Sequence, residues 1–267
     1  MKQRFSFAPL VFVSFLFAPI YWLLLMSVKS NAEIASGLSF WPQSPTFANF
    51  YMILTTPAWY NGYVNATLYV LLNVAISITV AVPAAFAFAR YRFVGDRSLF
   101  LGLLIFRMLA PAILFIPFVE IFSRLNLIDT HIAVALAHCF FNVPLAIWIL
   151  EGFIAAVPSE MDDIAKVDGY SFPHYFIRIL LPQIAPGIVV AAFFCFMFSW
   201  IEFLLANALT VMKAKPIASI MTRAGGVLTG DYALLAAASV LGLIPGVVLV
   251  IFMKKHLARG FSMGRVV

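Results

Sequence analysis

Charged residues are scarce in this chain of 267 residues: Asp, Glu, Lys and Arg make up 10% of it, while hydrophobic residues make up 64%. The mean hydropathy is +1.02. A globular protein is about 25% charged and has too little interior to bury so much apolar surface. The chain is therefore predicted to be an integral membrane protein. Its apolar residues form continuous runs, which exclude an outer-membrane barrel because barrel strands alternate polar and apolar residues.

Cysteine frameworks and phosphate-binding patterns are also missing. The two cysteines, Cys139 and Cys195, both lie within apolar runs, so the sequence offers no disulfide framework and no metal cluster. None of the 14 glycines is followed by lysine, so the G-x-x-x-x-G-K loop that binds nucleotide phosphates is absent. The sequence has no Ser-His-Asp or paired-carboxylate pattern either. We expect a non-enzymatic chain that has no catalytic residue, no metal and no bound cofactor of its own.

Six apolar runs are each long enough for a bilayer-spanning helix, which needs about 20 apolar residues. Lys2 and Arg4 precede the first run, but no small-residue cleavage site follows it, so we expect a retained helix rather than a signal peptide. The prediction is an all-α, polytopic membrane protein that forms one domain over residues 1–267. Its six transmembrane helices are predicted at about 8–28, 63–89, 98–122, 132–150, 184–208 and 233–253.

The basic residues predict the orientation of these helices. With the N-terminus in the cytoplasm, 11 Lys and Arg residues fall on that side, five fall outside and Arg107 lies within a span. Because inner loops are enriched in Lys and Arg, both termini are predicted to be cytoplasmic and the long loop 29–62 to lie outside. This asymmetry and contact with anionic membrane lipid account for the net charge of +6, so the charge implies no nucleic-acid partner.

The only long inner loop contains five of the 11 acidic residues in the chain. Pro158 and Ser159, followed by acids in the next turn, predict the start of a helix, and Gly169 predicts its end. A second short helix, which begins near Pro173, is predicted to end before Leu181. Capping and periodicity alone are equally compatible with an amphipathic loop that lies on the membrane.

The spacing within this loop resembles the EAA loop of ATP-binding cassette importer permeases. That signature reads Glu-Ala-Ala, three residues, Gly, nine residues and then Ile-x-Leu-Pro. The corresponding residues here are Asp163, Ile164, Ala165, Gly169, Ile179, Leu181 and Pro182. Asp163 replaces the Glu and Ile164 replaces the first Ala. Residues 85–91 and 198–203 resemble two further stretches of the carbohydrate-uptake branch of this family.

This resemblance implies a cytoplasmic coupling helix, within a loop at about 158–182, that seats in a cleft of an ATPase. The residues that it implies for coupling are Asp162, Asp163, Ile164, Ala165, Gly169, Leu181 and Pro182. Asp163 and Ala165 are expected on the exposed half of the loop, where the small side chain of Ala165 would permit the close approach of another protein. It also implies a multi-pass protein of the bacterial inner membrane. The implied partners are a second related permease, two cytoplasmic ATPase subunits that use ATP and Mg, and a periplasmic or lipid-tethered substrate-binding protein.

The resemblance further implies that the solute is a sugar, a polyol or a related hydroxylated compound. Residues 259–265 depart from the Gly-Ala-Val-Lys-Gly ending that is common among sugar permeases of the family. This departure favours a small polyol such as glycerol or glycerol phosphate.

Charged side chains within apolar runs are expected to face a cavity or a partner, because lipid disfavours an ionised group. Arg107 and Glu202 lie nearest the middle of predicted helices and are predicted to line the translocation pathway, with Asn142 as a neutral candidate. For Glu202, a hydrogen-bonded support between helices or to the partner permease explains the residue equally well. A structural role is also the alternative for Arg107, and hydrogen bonds between helices are the alternative for Asn142. Glu120 and His138 lie nearer the helix ends and are predicted to be structural.

A proton- or ion-coupled secondary transporter, with Glu202 and Arg107 as its relay, is the alternative function. Such transporters usually contain an internal repeat or a broken helix pair at the membrane midplane, and the sequence shows neither convincingly. A membrane scaffold without transport activity is a third possibility, although it would not need the bent inner loop. Dependence of uptake on ATP separates the first two functions, and any uptake at all separates both from a scaffold.

Overall fold

The computed structural model describes residues 8–224 and 230–263, and every regular element within these ranges is helical. This confirms the all-α prediction. A 3-10 turn, Pro111–Leu114, precedes α6, and a π-helical segment, Tyr175–Leu180, joins α9 to α10. The α-helices are α1 (Ala8–Ser27), α2 (Asn31–Ala35), α3 (Ala48–Thr55), α4 (Pro57–Arg90), α5 (Asp96–Met108), α6 (Phe115–Arg124), α7 (His131–Ala155), α8 (Glu160–Val167), α9 (Phe172–His174), α10 (Leu181–Gln183), α11 (Ala185–Ile201), α12 (Leu204–Ala208), α13 (Ile217–Ala224) and α14 (Tyr232–Met263).

Three of the described helices are by themselves long and apolar enough to cross a membrane: α4, α7 and the part of α14 that ends at Met253. Two bent pairs of helices also pass this test when each pair is taken as one span, which gives up to five spans. The pairs are α5 with the segment up to Arg124, and the segment from Phe172 with α11. The apolar helix Val11–Ser27 is shorter. The count of six spans therefore remains a prediction.

The prediction of one continuous helix over 98–122 is wrong, because the chain bends by 93° between α5 and the helical segment that follows it. Leu109 and Ala110 have extended backbones, with ψ angles of 136° and 132°. Pro111 explains this break, since proline disfavours helical geometry in the residue before it and has no N–H to continue the helix. Arg107, which was expected in the middle of a helix, instead precedes the last residue of α5.

The predicted helix 184–208 is interrupted as well. The helix α11 ends at Ile201, Glu202 has an extended backbone with φ −70° and ψ 120°, and α12 follows. The Glu202 carboxylate accepts hydrogen bonds from the backbone N–H groups of Leu205 at 3.0 Å and Ala206 at 3.2 Å. The first N–H groups of a helix have no partner within it. Glu202, which lies at the break, therefore supplies the acceptors that the first N–H groups of α12 need.

The described residues form two compact units, one within 1–63 and 217–247 and the other within 64–216 and 248–267. In the second unit α7 is the central helix: it packs against α5 and α11 and is the most enclosed of the three long helices. Gly187 of α11 permits this packing, because a Cβ atom there would lie only 2.5 Å from the Phe153 ring of α7. Every residue predicted for coupling or for the pathway lies in this second unit.

In the first unit, a buried lysine organises the segment that follows α1. The Lys29 ammonium donates hydrogen bonds to the backbone carbonyl of Ser39 at 2.6 Å and to its hydroxyl at 2.7 Å. It also lies 5.9 Å from the centre of the Trp22 ring, at the outer limit of a cation–π contact. The Glu33 carboxylate accepts a hydrogen bond from the backbone N–H of Gln43 at 2.9 Å. The part of the 29–62 loop that lacks helices is thus held by side chains.

In the second unit, one carboxylate fixes the segment between α12 and α13. Asp129 accepts hydrogen bonds from four consecutive backbone N–H groups, those of residues 211–214, at 2.9–3.1 Å. Its own N–H donates to the Leu209 carbonyl at 2.8 Å. Desolvation raises the pKa of Asp129, but the four backbone hydrogen bonds outweigh it and hold the pKa below its usual value. The segment 211–214 is therefore anchored by a group that is ionised at neutral pH.

We expect Asp129→Asn to release the segment 211–214. An amide side chain has one acceptor oxygen instead of two and presents N–H groups to backbone N–H groups. Proteolysis within 209–216 should become about threefold faster at pH 7, the order of effect expected from one net hydrogen bond. Because the pKa of Asp129 is lowered by folding, the parent should lose the same stabilisation only as the pH falls through that pKa.

The control for this change is Glu120→Gln, since Glu120 is exposed and its ion pair is with Arg124 on its own helix. Equal cleavage rates in the Asp129 variant, the control and the parent at pH 7 would show that Asp129 does not hold this segment.

Candidate functional site

The inner loop contains a short helix with a well-defined end. The helix α8 follows its N-terminal cap residue, Ser159, and has three acids in its first turn, where the helix dipole favours negative charge. At its end the N–H of Tyr170 bonds the Ala165 carbonyl at 2.9 Å, and the N–H of Gly169 bonds the Lys166 carbonyl at 3.1 Å. Gly169 has φ +76°, which is the left-handed geometry that glycine adopts without strain. The two bonds and this geometry make a Schellman end at the predicted glycine.

The second half of the loop stays helical for longer than predicted. Helical structure runs from Phe172 to Gln183, so the expectation that it ends before Leu181 is wrong. Its middle is the π-helical segment, which widens the turn next to Pro182. The proline ring crowds the carbonyl four residues earlier, and proline has no N–H to bond to that carbonyl. A wider turn relieves the crowding and does not need the missing hydrogen bond. Leu181 and Pro182 thus form the last turn before the chain bends by 74° into α11.

The helix α8 has a buried face and an exposed face. Ala165 is only 5% exposed and joins a core that includes Phe86 of α4 and Leu150 of α7. It was predicted to lie on the exposed half of the loop, and that prediction is wrong. Asp163 is exposed, and the apolar side chains of Ile164 and Val167 are 58% and 87% exposed. The available surface of α8 is therefore the face that carries these three residues.

The two neighbouring aspartates of α8 have different surroundings. Asp163 lies 3.0 Å from the Lys166 ammonium, and both side chains are exposed. The hydrogen bond and charge of Asp163 raise the pKa of Lys166. Asp162 is mostly buried and forms an ion pair with Arg90 of α4 at 2.8 Å. Asp163 is thus accessible to a partner, whereas Asp162 is enclosed by contacts within the chain.

A buried polar network joins α4, α7 and α11. The amide nitrogen of Asn142 donates to the side-chain oxygen of Asn73 at 2.6 Å and to the Cys195 carbonyl at 3.0 Å. Asn73 in turn donates to the Ala135 carbonyl at 3.0 Å. Both asparagines are fully buried. In this conformation Asn142 connects helices inside the chain, and its role in the pathway remains a prediction.

A second buried cluster brings together a serine, a histidine and a glutamate. His138 Nδ1 lies 2.6 Å from Ser199 Oγ, and Nε2 lies 3.0 Å from Glu202 Oε2. The order of groups is that of a hydrolytic triad, but Ser199 and His138 have no exposed surface. A substrate carbonyl has no access to the hydroxyl, so the arrangement acts as a hydrogen-bonded support. The sequence does not predict this cluster, because His138 is more than 60 residues from both partners. The signal that the sequence does contain is a polar residue within each apolar run.

Arg107 differs from these enclosed groups. It is half-buried at the end of α5, and its guanidinium lies 4.6 Å from the centre of the Phe198 ring, a cation–π contact with α11. Arg107 therefore lies at the break that follows Met108, and Glu202 lies at the break that follows Ile201. Their lining of the pathway remains a prediction.

Comparison with known proteins identifies the family of this chain. Residues 77–263 match the family described as binding-protein-dependent transport system inner membrane component. The chain belongs to that family. This membership confirms the resemblance to importer permeases, and the matched range contains the whole inner loop and both helix breaks.

Several relatives match this permease over nearly its full length. The permease protein of the sulfoquinovosyl glycerol transport system of Agrobacterium fabrum is 28% identical over 98% of this chain and 92% of its own. The trehalose transport permease of Mycobacterium tuberculosis is 28% identical over 95% of this chain and 93% of its own. The diacetylchitobiose uptake permease of Streptomyces coelicolor is 27% identical over 97% of this chain and 94% of its own.

The fold is also found in a solved transporter. A chain of a bacterial ABC transporter involved in the import of the acidic polysaccharide alginate superposes with a TM-score of 0.76. The match is 20% identical in sequence and covers 92% of each chain. A second structure of the alginate transporter, in complex with an alginate pentasaccharide-bound periplasmic protein, gives a TM-score of 0.68 at 14% identity. These likenesses establish the fold of the permease.

The two helix breaks predict different outcomes for their charged residues. Glu202→Gln should lower the yield of assembled transporter, because loss of an acceptor oxygen leaves a buried N–H group without a partner at a cost of about 1–3 kcal/mol. Arg107→Met should leave the yield unchanged, since the side chain is half-buried and its contact with α11 is the cation–π contact with the Phe198 ring. If both residues line the pathway, uptake per assembled transporter should fall in both variants.

The measurements are detergent-stable assembly and solute uptake at matched protein level. Ser199→Ala is the control, because it removes a hydroxyl from the same buried cluster without changing charge. Normal uptake per assembled transporter in either variant would assign that residue to structural support alone.

Proposed function

We propose that this chain is a translocation subunit of an ATP-driven importer for a sugar, a polyol or a related hydroxylated solute. The family membership carries this proposal, because the family belongs to binding-protein-dependent transport systems. The relatives named for sulfoquinovosyl glycerol, trehalose and diacetylchitobiose support a carbohydrate as solute. The subunit would work with a second permease, two cytoplasmic ATPase subunits and a substrate-binding protein.

The ATPase is proposed to dock on the exposed face of α8. Asp163 offers a charge to the partner, while Ile164 and Val167 offer apolar surface that is unusual on an isolated short helix. The chain has no loop for nucleotide phosphates, so ATP and Mg would be used by the partner. Closure of the ATPase would then move α8 as a rigid body and switch the pathway between its two orientations. Gly169, Leu181 and Pro182 shape the turn and the bend through which that movement reaches α11.

We further propose that α8 and both termini are cytoplasmic and that the 29–62 loop lies outside the inner membrane of a bacterium. The excess of basic residues on the inner side supports this orientation. The terminal residues 1–7 and 264–267 lie outside the described residues.

Glycerol or glycerol phosphate is the solute that we propose to test first, on the basis of residues 259–265. The side chains of this stretch lie outside the part of the chain that the structure describes. Direct ligand binding to the associated soluble binding protein, with glycerol, glycerol phosphate and trehalose compared, tests this choice. A preference for the disaccharide would exclude it.

A secondary transporter is the competing function. The argument against it from the absence of broken helices is weakened by the structure. The sequence shows no convincing broken helix, but the structure has sharp bends after Met108 and after Gln183 and an interruption at Glu202. Broken helices therefore do not separate the two functions. The energy source does separate them, because uptake by a secondary transporter follows an ion gradient and does not require ATP.

Gly169→Val should uncouple ATP hydrolysis from uptake. Valine in left-handed geometry is strained by about 1–2 kcal/mol or more, so the end of α8 would change course. Nothing lies within 4 Å of the position of a Cβ atom, so the effect would come from the backbone alone. In vesicles that contain the whole transporter, ATP-dependent uptake should fall about tenfold, which corresponds to that strain. Gly169→Asn should be much milder, because asparagine tolerates left-handed geometry.

Gly152→Val is the matched control, since a Cβ atom there also meets nothing within 4 Å and the residue is in ordinary helix. Full coupling in Gly169→Val would exclude the proposed role of this turn. Parent uptake that survives without ATP and disappears with the ion gradient would instead favour the secondary transporter.

Cysteines on the exposed face of α8 should cross-link to the ATPase. We expect Asp163→Cys and Ile164→Cys to form cross-links in the assembled transporter, and Ala165→Cys to form none because residue 165 faces the core. The native Cys139 and Cys195 are buried and should not react. Free labelling of Asp163→Cys and Ile164→Cys by an impermeant thiol reagent from the cytoplasmic side, without any cross-link, would leave α8 as a solvated surface.

A further inference from the structure

The last residue of α4 is tied to the coupling loop by its side chain. Arg90 is only 8% exposed at its side chain, and its Nε atom lies 2.8 Å from Asp162 Oδ2 of α8. The Nε–H does not point along this line, so the contact is an ion pair rather than a linear hydrogen bond. A second guanidinium nitrogen, Nη2, donates to the Val157 carbonyl at 2.9 Å, just before α8 begins. One side chain thus holds both α8 and the residue that leads into it.

The same carboxylate is also held from the other side. The Tyr175 hydroxyl donates a hydrogen bond to Asp162 Oδ1. Tyr175 is buried in the core and belongs to the π-helical segment that leads towards α11. The Asp162 carboxylate is therefore shared between α4 and the second half of the loop, with one oxygen for each.

The space beside the ion pair of Arg90 and Asp162 is not filled by side chains. A cavity of about 250 Å³ lies beside it, and its lining includes Arg90, Asp162, Ala165, Tyr170, Phe172 and Tyr175. Ala165 and Met161 of α8 pack against the core, and the polar connection between α8 and α4 is the ion pair of Asp162 with Arg90. A movement of α8 would therefore pull on α4 through Arg90 and on the π-helical segment through Tyr175.

We propose that Arg90 is a positioning residue for coupling: its ion pair with Asp162, shared with Tyr175, transmits the movement of α8 to α4. This inference rests on the proposed function, in which α8 receives the movement of an ATPase. An uncharged side chain at residue 90 would leave the Asp162 carboxylate mostly buried with half of its partners. The helix α8 could still dock on the ATPase, but its movement would be poorly transmitted.

The ratio of ATP hydrolysed to solute imported distinguishes a residue that only stabilises the fold from a residue that transmits movement. Loss of fold lowers uptake and stimulated ATP hydrolysis together, because fewer transporters are assembled. Loss of transmission lowers uptake while hydrolysis stimulated by the loaded binding protein continues, so more ATP is used for each solute molecule. The ratio of ATP hydrolysed to solute imported, measured per assembled transporter, is therefore the decisive readout.

The experiment uses the whole transporter reconstituted in vesicles, with Arg90→Gln, Arg90→Lys, Asp162→Asn, Tyr175→Phe and the double variant Arg90→Gln/Asp162→Asn. Arg92→Gln is the matched control, since Arg92 lies two residues away and its side chain is 92% exposed. We expect Arg90→Gln to raise the ratio about tenfold, within the usual range of coupling between two sites, and Arg90→Lys to restore part of it by restoring the charge. The control should equal the parent.

The double variant and the tyrosine variant make the proposal falsifiable. If the two charges act as one unit, the double variant should be no worse than the worse single variant. Additive effects, or an unchanged ratio in Arg90→Gln, would overturn the proposal. If Arg90→Gln fails to assemble, Tyr175→Phe decides, because it removes one hydroxyl and keeps the ring: a raised ratio supports the proposal and an unchanged ratio overturns it. Failure of the proposed function is a separate result, namely parent uptake without any need for ATP.

Discussion

The lipid surroundings of this chain impose one constraint on which the rest of the structure depends. Polar groups within apolar helices are stabilised by partners inside the protein, because hydrocarbon offers none. The asparagines at 73 and 142 bond to each other and to backbone carbonyls of neighbouring helices. Each such bond fixes one helix relative to another. The packing of α4, α7 and α11 is therefore determined by a few polar contacts as well as by apolar surface.

The same constraint explains where the backbone can depart from a helix. A break is tolerated where a side chain replaces the lost acceptors, and Glu202 does this for the start of α12. Its carboxylate needs a counterpart, and His138 provides it at 3.0 Å. Outside the apolar segments Asp129 acts by the same chemistry on a longer stretch of irregular backbone. Glu202 and Asp129 thus both stabilise irregular backbone, and for Glu202 this role explains a carboxylate within an apolar run.

The fold was predictable from the sequence to the extent that apolarity alone decides it. The runs that became α4, α7 and α14 are long and uninterrupted, and hydropathy is sufficient to find them. Averaged hydropathy does not detect a bend, because the residues on both sides of it are equally apolar. Pro111 is a local signal that was available for the first break. For the break at Glu202 the only signal was the charge itself, which also fits a pathway residue.

The candidate site was predictable in position but not in orientation. The spacing from Asp163 to Gly169 located α8 and its end, since a left-handed glycine is a local requirement. Which face of α8 is buried depends on distant residues of α4 and α7, and no spacing within the loop contains that information. Ala165 therefore turned out to be a core residue. Its small size serves the close approach of α8 to its own chain, whereas the prediction assigned it to the approach of another protein.

This change of role gives α8 two faces with separate tasks. The outer face, with Ile164 and Val167, is exposed among the described residues and can bind a partner without disturbing the fold. The inner face holds Ala165 against the core and Asp162 between Arg90 and Tyr175, so it follows α4 and the π-helical segment closely. A helix of eight residues is too short to be stable in isolation, because most of its backbone groups belong to its ends. Its rigidity must come from the inner face, and a partner on the outer face therefore acts on α4 and the π-helical segment together with α8.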